Sequence, residues 1–250
     1  MKHVNFLMVA LMIIMGTTVT SCMNGSNESS YDGVAIVTVE ESIYGGILVT
    51  TDDGFRLIPT NPEVLKTSAT EYVKRAQIAI KWAEGVVFDG DKEKTYKMSI
   101  VQAYGVANKK YCDQVDTLKN SYPIVELGKY VSGANGRYLN VPFTFNYNST
   151  KEAVAFDLYP VKADGNELVM KLCQSVGSKD GYSSQTHMVS FELPTVSVIN
   201  ELLNRYQGQH GVEGGVLERP ANDSIMVKII ADGRNDQKLT TELVKIRIRN

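Results

Sequence analysis

Cysteine is scarce in this chain, with three in 250 residues. Cys22 follows an apolar leader, and neither Cys112 nor Cys173 stands in a Cys-x-x-Cys pair or near a histidine. Redox and zinc chemistry therefore have no ligand spacing to build on. Cys112 and Cys173 could pair in an oxidising compartment, but they fall in different predicted domains, and the preferred reading is two buried small hydrophobes. An excess of positive charge is also missing: 26 Lys and Arg stand against 28 Asp and Glu, a net charge of −2. A chain without a basic surplus is a poor partner for nucleic acid. Beyond the leader, no run approaches the roughly 20 apolar residues that cross a bilayer.

Catalytic signatures are missing as well. There is no Gly-x-Ser-x-Gly elbow, and His187 and His210 have no neighbouring nucleophile in sequence. His187 is in line with Val189 and Phe191 and reads as a core or strand-end histidine. Gly208, Gly211, Gly214 and Gly215 follow a predicted helix instead of preceding one and lack a Gly-Lys-Ser/Thr ending, so they read as a flexible loop and not a phosphate cradle. The acids Asp52, Asp53, Asp89, Asp91, Glu93, Asp232 and Asp236 lie in Gly- and Asn-rich turns. Asp89 to Glu93 has the alternation of a calcium loop, but Lys92 sits among the ligands and the distal glutamate is absent. The expectation is no metal, no cofactor and no enzymatic activity.

What is present begins at the N-terminus. Lys2 precedes an apolar stretch from Val4 to Met15, interrupted only by Asn5. That order of a positive and then an apolar region is a secretory signal. Val19-Thr20-Ser21-Cys22 resembles the lipobox of bacterial lipoproteins. The resemblance implies cleavage before Cys22 and lipid on its sulfur, with residues 1–21 as signal peptide. Met23 to Ser30 is rich in Asn, Ser and Gly, so residues 22–31 read as a flexible tether. Roughly 230 residues then remain, enough for two small domains or one large sandwich.

Strand signals dominate from Gly33 onward. Val34 to Val39 is β-branched, and Ile47–Thr51 and Phe55–Ile58 flank Asp52-Asp53-Gly54, which predicts a hairpin with a type I′ turn. Asn61 and Pro62 are placed to cap and open a short helix. Ala76, Ile78, Ile80 and Trp82 alternate as one face of a strand, and Tyr96, Met98 and Ile100 as another. About five strands with a helix midway predict an OB-like Greek-key barrel over residues 32–120.

The same grammar continues over residues 121–250. Leu139, Val141, Phe143, Phe145 and Tyr147 alternate with polar neighbours. Strands are also predicted around Phe156, Met170, Phe191, Val227 and Ile246. Several short strands separated by turns predict an antiparallel β-sandwich. Val196, Ile199, Leu203 and Tyr206 recur at helical spacing before Gly208, predicting one connecting helix that covers an end of the sandwich. The fold class is all-β: a barrel followed by a sandwich.

Two surfaces are candidates for binding. Tyr138, Asn140, Thr144 and Asn146 fall on the face opposite the core and would offer an aromatic ring and amides to a carbohydrate or protein; ordinary outward polar residues of a sandwich strand look the same. Lys245, Arg247 and Arg249 form a basic stripe on the last strand, for an anionic partner or to block sheet-to-sheet aggregation. Asp116-Thr117-Leu118 and Asp223-Ser224-Ile225 resemble the short O-glycosylation signal of Bacteroides-type bacteria, at Thr117 and Ser224.

The stretches YGGILVTTDDGFRLIPTN, residues 44–61, and YVSGANGRYLNVPFTFNY, residues 130–147, resemble the NigD-like lipoproteins of Bacteroides-type bacteria. The resemblance covers nearly the whole chain after the leader. It implies an OB-like domain, a β-sandwich and a lipid-anchored location in the outer membrane, on the surface or the periplasmic face. It brings no catalytic residues, and for function only an accessory or immunity role beside a bacteriocin. The leading expectation is a non-catalytic binding or accessory module held to the membrane through Cys22, with a protein or glycan partner. An envelope hydrolase using carboxylates brought together in space is the alternative, as is a structural subunit of an envelope assembly.

Overall fold

The computed structural model describes residues 31–42, 45–114, 118, 121–129, 131–134, 136–148, 154–176, 181, 183–218 and 223–248. The leader, residues 22–30 of the tether with Cys22, Thr117 and Arg249 lie outside the described residues.

The barrel forms from β1 (Gly33–Glu41), β2 (Ile47–Thr51), β3 (Arg56–Pro59), β4 (Arg75–Trp82) and β5 (Thr95–Gly105). Their order is β1-β2-β3-β5-β4, and β4 closes back onto β1. Only the β3–β5 pairing is parallel, which is the strand order of an OB barrel. The predicted alternation fills its interior with Val37, Val49, Leu57, Ile78, Met98 and Ile100. Two local details differ from the sequence reading. The Asp52-Asp53-Gly54 hairpin is a three-residue turn, because only Gly54 takes a positive φ, of 96°. Its N–H donates to the Thr51 carbonyl at 2.9 Å, and the Thr51 N–H donates to the Phe55 carbonyl at 2.9 Å. This is the type I turn with a glycine bulge, not type I′. The predicted helix is a 3-10 turn over Pro62–Leu65, and the Asn61 side chain does not cap it. Instead the amide pairs with the backbone of Ile100, accepting from its N–H at 2.8 Å and donating to its carbonyl at 2.9 Å.

The remaining strands are β6 (Ala107–Lys110), β7 (Ile124–Leu127), β8 (Ser132–Ala134), β9 (Tyr138–Tyr147), β10 (Ala155–Gly165), β11 (Glu167–Val176) and β12 (Ser183–Glu192). Helix α1 (Val196–Tyr206) follows, then β13 (Gly214–Leu217), β14 (Ser224–Asp232), β15 (Lys238–Thr240) and β16 (Val244–Arg247). One sheet runs β6-β12-β9-β7, with β8 also on β9. The other runs β13-β10-β11-β14-β15, with β16 also on β14. Phe143, Phe145, Phe156, Leu172, Phe191 and Ile229 meet between them. The two sheets make a sandwich, but a mixed one: β6–β12, β10–β13 and β11–β14 are parallel. Parallel neighbours need long crossover connections: β7 to β11 lie between β6 and β12, and the excursion through β12 and α1 serves the other two pairs.

Strand β6 follows Gly105 within two residues and yet pairs in the sandwich sheet, so the chain enters the second sheet well before residue 121. Helix α1 buries Ile199, Leu202 and Leu203. Its Asn200 side chain donates to the Leu217 carbonyl at 3.0 Å and accepts from the Leu217 N–H at 2.8 Å, covering part of the β13 edge. The glycine segment read as a loop contributes a strand here. Gly214 and Gly215 lie parallel to β10, where a side chain on Gly215 would meet the Ala163 carbonyl.

Candidate functional site

Most of the polar row of β9 does not face water, and only Thr144 is partly open. Tyr138 is 2% exposed, Asn140 1% and Asn146 6%, which corrects the expectation of an open binding face. The barrel covers the first part of the row through Arg75, the first residue of β4. Its guanidinium is fully buried and uses all five N–H donors. Nη1 and Nη2 hold the two carboxylate oxygens of Asp52 at 2.6 and 2.9 Å. Nη1 also reaches Thr38 Oγ1 at 2.9 Å, Nη2 reaches Asn140 Oδ1 at 2.9 Å, and Nε reaches Ser190 Oγ at 3.2 Å.

Thr38 and Arg75 are register partners on β1 and β4, and Asn140 and Ser190 on β9 and β12. The arginine therefore ties a barrel rung to a sandwich rung. Asn140 also donates to Asp52 Oδ2 at 2.6 Å and Ser132 Oγ at 3.2 Å. The Tyr138 ring lies between two guanidinium groups, 4.9 Å from Arg75 and 5.1 Å from Arg137. Arg137 in turn pairs with Glu40 of β1 at 3.0 Å. A planar fork with every donor engaged has none left for a ligand. This seam fixes the barrel on the sandwich.

The rest of the row has other partners. Thr144 and Thr186 share a hydrogen bond of 3.0 Å between their hydroxyls. The Asn146 amide oxygen, assigned from the donors around it, accepts from Arg234 Nη2 at 2.7 Å and Nε at 3.2 Å. Lys245 and Arg247 do stand exposed on β16. Ser224 is half-buried at the start of β14, opposite Arg247. No disulfide joins Cys112 and Cys173; burial pushes the Cys173 thiol up to about 11. His187 is half-buried, edge-on to Phe145 with ring centres 6.5 Å apart, and burial lowers its pKa.

The free end of the barrel has another character. Trp82 at the end of β4 stacks on Phe88, with centroids 4.9 Å apart and planes 9° from parallel. Phe55 meets Phe88 edge-on at 5.1 Å, and Tyr96 lies 4.9 Å from it. Phe88 is nevertheless 39% exposed and Val87 beside it 82%. Lys92 stands 5.3 Å over the Phe55 ring.

Polar bonds brace the loop that carries Phe88. The Asp89 carboxylate pairs with Lys94 and accepts from the Tyr96 hydroxyl. Those two contacts, Lys94 first, hold its pKa well below the carboxylate range. The Asp91 N–H donates to Tyr96 Oη at 2.9 Å, and the Asp91 carboxylate accepts from the Glu93 N–H at 3.0 Å. These acids work as turn formers, and a lysine occupies the position where a cation would sit. Among the described residues no group of His, Cys, Asp and Glu is arranged to hold a metal.

The chain enters the barrel at this same end. The Asp32 N–H donates to the Ile80 carbonyl at 2.7 Å, and its carboxylate accepts from the Trp82 N–H at 2.7 Å. Tyr31, just before, is 43% exposed. Sequence reading had placed Trp82 in its strand but missed this cluster. The signal was Val87-Phe88, an apolar pair directly before a turn.

No family model matches the chain, and no curated protein matches it in sequence. Solved structures do match in fold. A candidate toxin-related protein from Parabacteroides distasonis shares 14% identity at a TM-score of 0.54, covering 85% of this chain and 92% of its own. A candidate lipoprotein from Bacteroides fragilis shares 14% at 0.51, covering 87% and 98%. A NigD-like immunity protein from Bacteroides caccae also matches, with 13% identity and a TM-score of 0.47 over 86% and 93%. The Parabacteroides distasonis and Bacteroides fragilis proteins share the fold of this chain over most of its length.

Proposed function

We propose that this protein is a non-catalytic, lipid-anchored protein of the cell envelope that acts as a binding or accessory module. The observation that carries the reading is the braced aromatic end of the barrel, an exposed apolar surface held in one geometry on a body whose two halves Arg75 ties together. Val87 and Phe88, exposed side by side on the half-buried rings beneath them, support an interaction surface there. The signal sequence and lipobox support export and anchoring. The shared fold of a candidate lipoprotein from Bacteroides fragilis, over nearly its full length, agrees with them. An accessory or immunity role beside a bacteriocin is the specific form that the family resemblance implies.

Protease shaving of intact cells, with a blot for this protein and a Cys22→Ala control, tests the reading. Wild-type protein in the membrane fraction and Cys22→Ala protein in the soluble fraction is the expected result. Digestion of the wild type on intact cells places the partner outside the cell, and protection until the outer membrane is opened places it in the periplasm. Wild-type protein that leaves the membranes on washing would overturn the anchor.

A further inference from the structure

We propose that the aromatic end of the barrel is a membrane-docking surface, seated on the bilayer that holds the lipid of Cys22. The inference rests on the lipid-anchor reading of the N-terminus and adds to it an orientation. Three observations carry it. The first is the position of the chain entry. Cys22 lies nine residues before Tyr31, so the lipidated residue can stand at most about 32 Å from it. Asp32 is bonded to Ile80 and Trp82, so that short reach is measured from the aromatic end itself.

The second is the composition of the end. Val87 at 82% exposure, Tyr31 at 43% and Phe88 at 39% project from it, with Trp82 stacked behind Phe88. Tryptophan and tyrosine rings favour the boundary between headgroups and acyl chains, where one side is apolar and the other wet. Lys92 stands over the Phe55 ring, and a lysine at such a boundary extends its ammonium group to the headgroups while its stem lies on apolar surface.

The third is rigidity. The Asp89, Asp91, Lys94 and Tyr96 bonds hold the loop, so the surface is formed before it meets the membrane. A short tether also keeps the local concentration of bilayer high, so a surface of a few side chains suffices. Docked in this way, the protein would set the barrel's end on the membrane. The Arg75 seam lies seven residues away at the other end of β4, about 23 Å at the rise of a regular strand. The sandwich would then face away from the bilayer.

The chain has one tryptophan, Trp82, and it sits at the proposed contact. Full-length lipoprotein purified from membranes is reconstituted into vesicles of phosphatidylethanolamine and phosphatidylglycerol in equal parts. Flotation reports the anchor, and Trp82 emission reports the docking. Bromine is placed on the acyl chains either near the glycerol or near the methyl end.

The expected result is flotation, a blue-shifted emission and stronger quenching by the shallow bromine. Val87→Asp, which alters a side chain almost wholly in solvent, should float equally well and lose both the shift and the quenching. Floated wild type whose Trp82 ignores bromine overturns the docking and leaves the anchor standing. Unchanged quenching in Val87→Asp overturns it as well. Wild type that does not float overturns the anchor, and the docking falls with it.

Discussion

Arg75 and Asn140 come from different halves of the molecule and meet at 2.9 Å, Nη2 to Oδ1, in a place closed to solvent. Arg75 brings with it the bidentate pair to Asp52, whose side chain keeps 16% exposure. The barrel and sandwich are therefore joined around a fully hydrogen-bonded buried cation, with Arg137–Glu40 beside it, and not by apolar packing alone.

Truncating that cation should be costly. Arg75→Ala leaves the Asp52 carboxylate with the Asn140 amide but without its guanidinium counter-charge, and leaves Asn140 Oδ1 without the Arg75 donor. Breaking a buried pair by removing one partner costs about 3 kcal/mol or more. Arg75→Lys should recover only part of it, because one ammonium cannot fill five donor positions. Urea unfolding of the purified protein measures both. A loss under about 0.5 kcal/mol for Arg75→Ala would mean the pair behaves like a surface salt bridge.

A pH dependence follows from His187. Burial lowers its pKa below the ordinary 6.5. The unfolded chain therefore takes up a proton at a higher pH than the folded one. The stabilisation is fully present above pH 6.5 and is lost as the pH falls from there through the folded value. Thermal melts at successive pH values should show that decline in the wild type and a smaller one in His187→Gln. Equal slopes in the two proteins would assign the decline to other groups.

Much of the architecture was legible in the sequence. Alternation at Ala76, Ile78, Ile80 and Trp82 placed β4, and the spacing of Val196, Ile199 and Leu203 placed the helix. Alternation says that one face of a strand is polar, but not what covers that face. Tyr138 and Asn140 looked like surface because the residue that buries them, Arg75, lies 65 positions from Asn140 and carries no local signature. The parallel pairings were equally hidden, since strand composition does not record the direction of a neighbour. Gly214 and Gly215 read as a loop for a related reason. The missing side chain of Gly215 answers a close backbone approach by Ala163, and that of Gly214 the Gln207 side chain, which only the folded chain reveals.

That approach makes Gly215 a sensitive position. Its φ is 104°, and a Cβ there would stand 2.0 Å from the Ala163 carbonyl oxygen. Gly215→Ala must move β13 off β10 as well as strain its own backbone. The expected loss is about 2 kcal/mol or more. Amide exchange should locate it: protection falls first across residues 214–217 and the neighbouring α1, with the barrel unaffected. Uniform loss across both halves would mean that β13 unfolds only with the whole molecule.

Two tyrosines make the opposing case about hydroxyls. Tyr159 is fully buried on β10, and its Oη has no hydrogen-bond partner among the described residues. Burial first, then the neighbouring Tyr206, pushes its ionisation well above the usual range, so it stays a neutral phenol. A desolvated hydroxyl without a partner gives nothing back for its lost hydration, so Tyr159→Phe should be neutral or stabilising by up to about 1 kcal/mol. Tyr96 differs by its bonds to Asp89 and Asp91, which hold the Phe88 loop in place. Tyr96→Phe should release that loop, and the change should register in the emission of Trp82, which stacks on Phe88. Unfolding curves for the first variant and fluorescence for the second separate the two. If Tyr159→Phe destabilised the fold, its hydroxyl must be bonded in solution, through water or through residues outside those described.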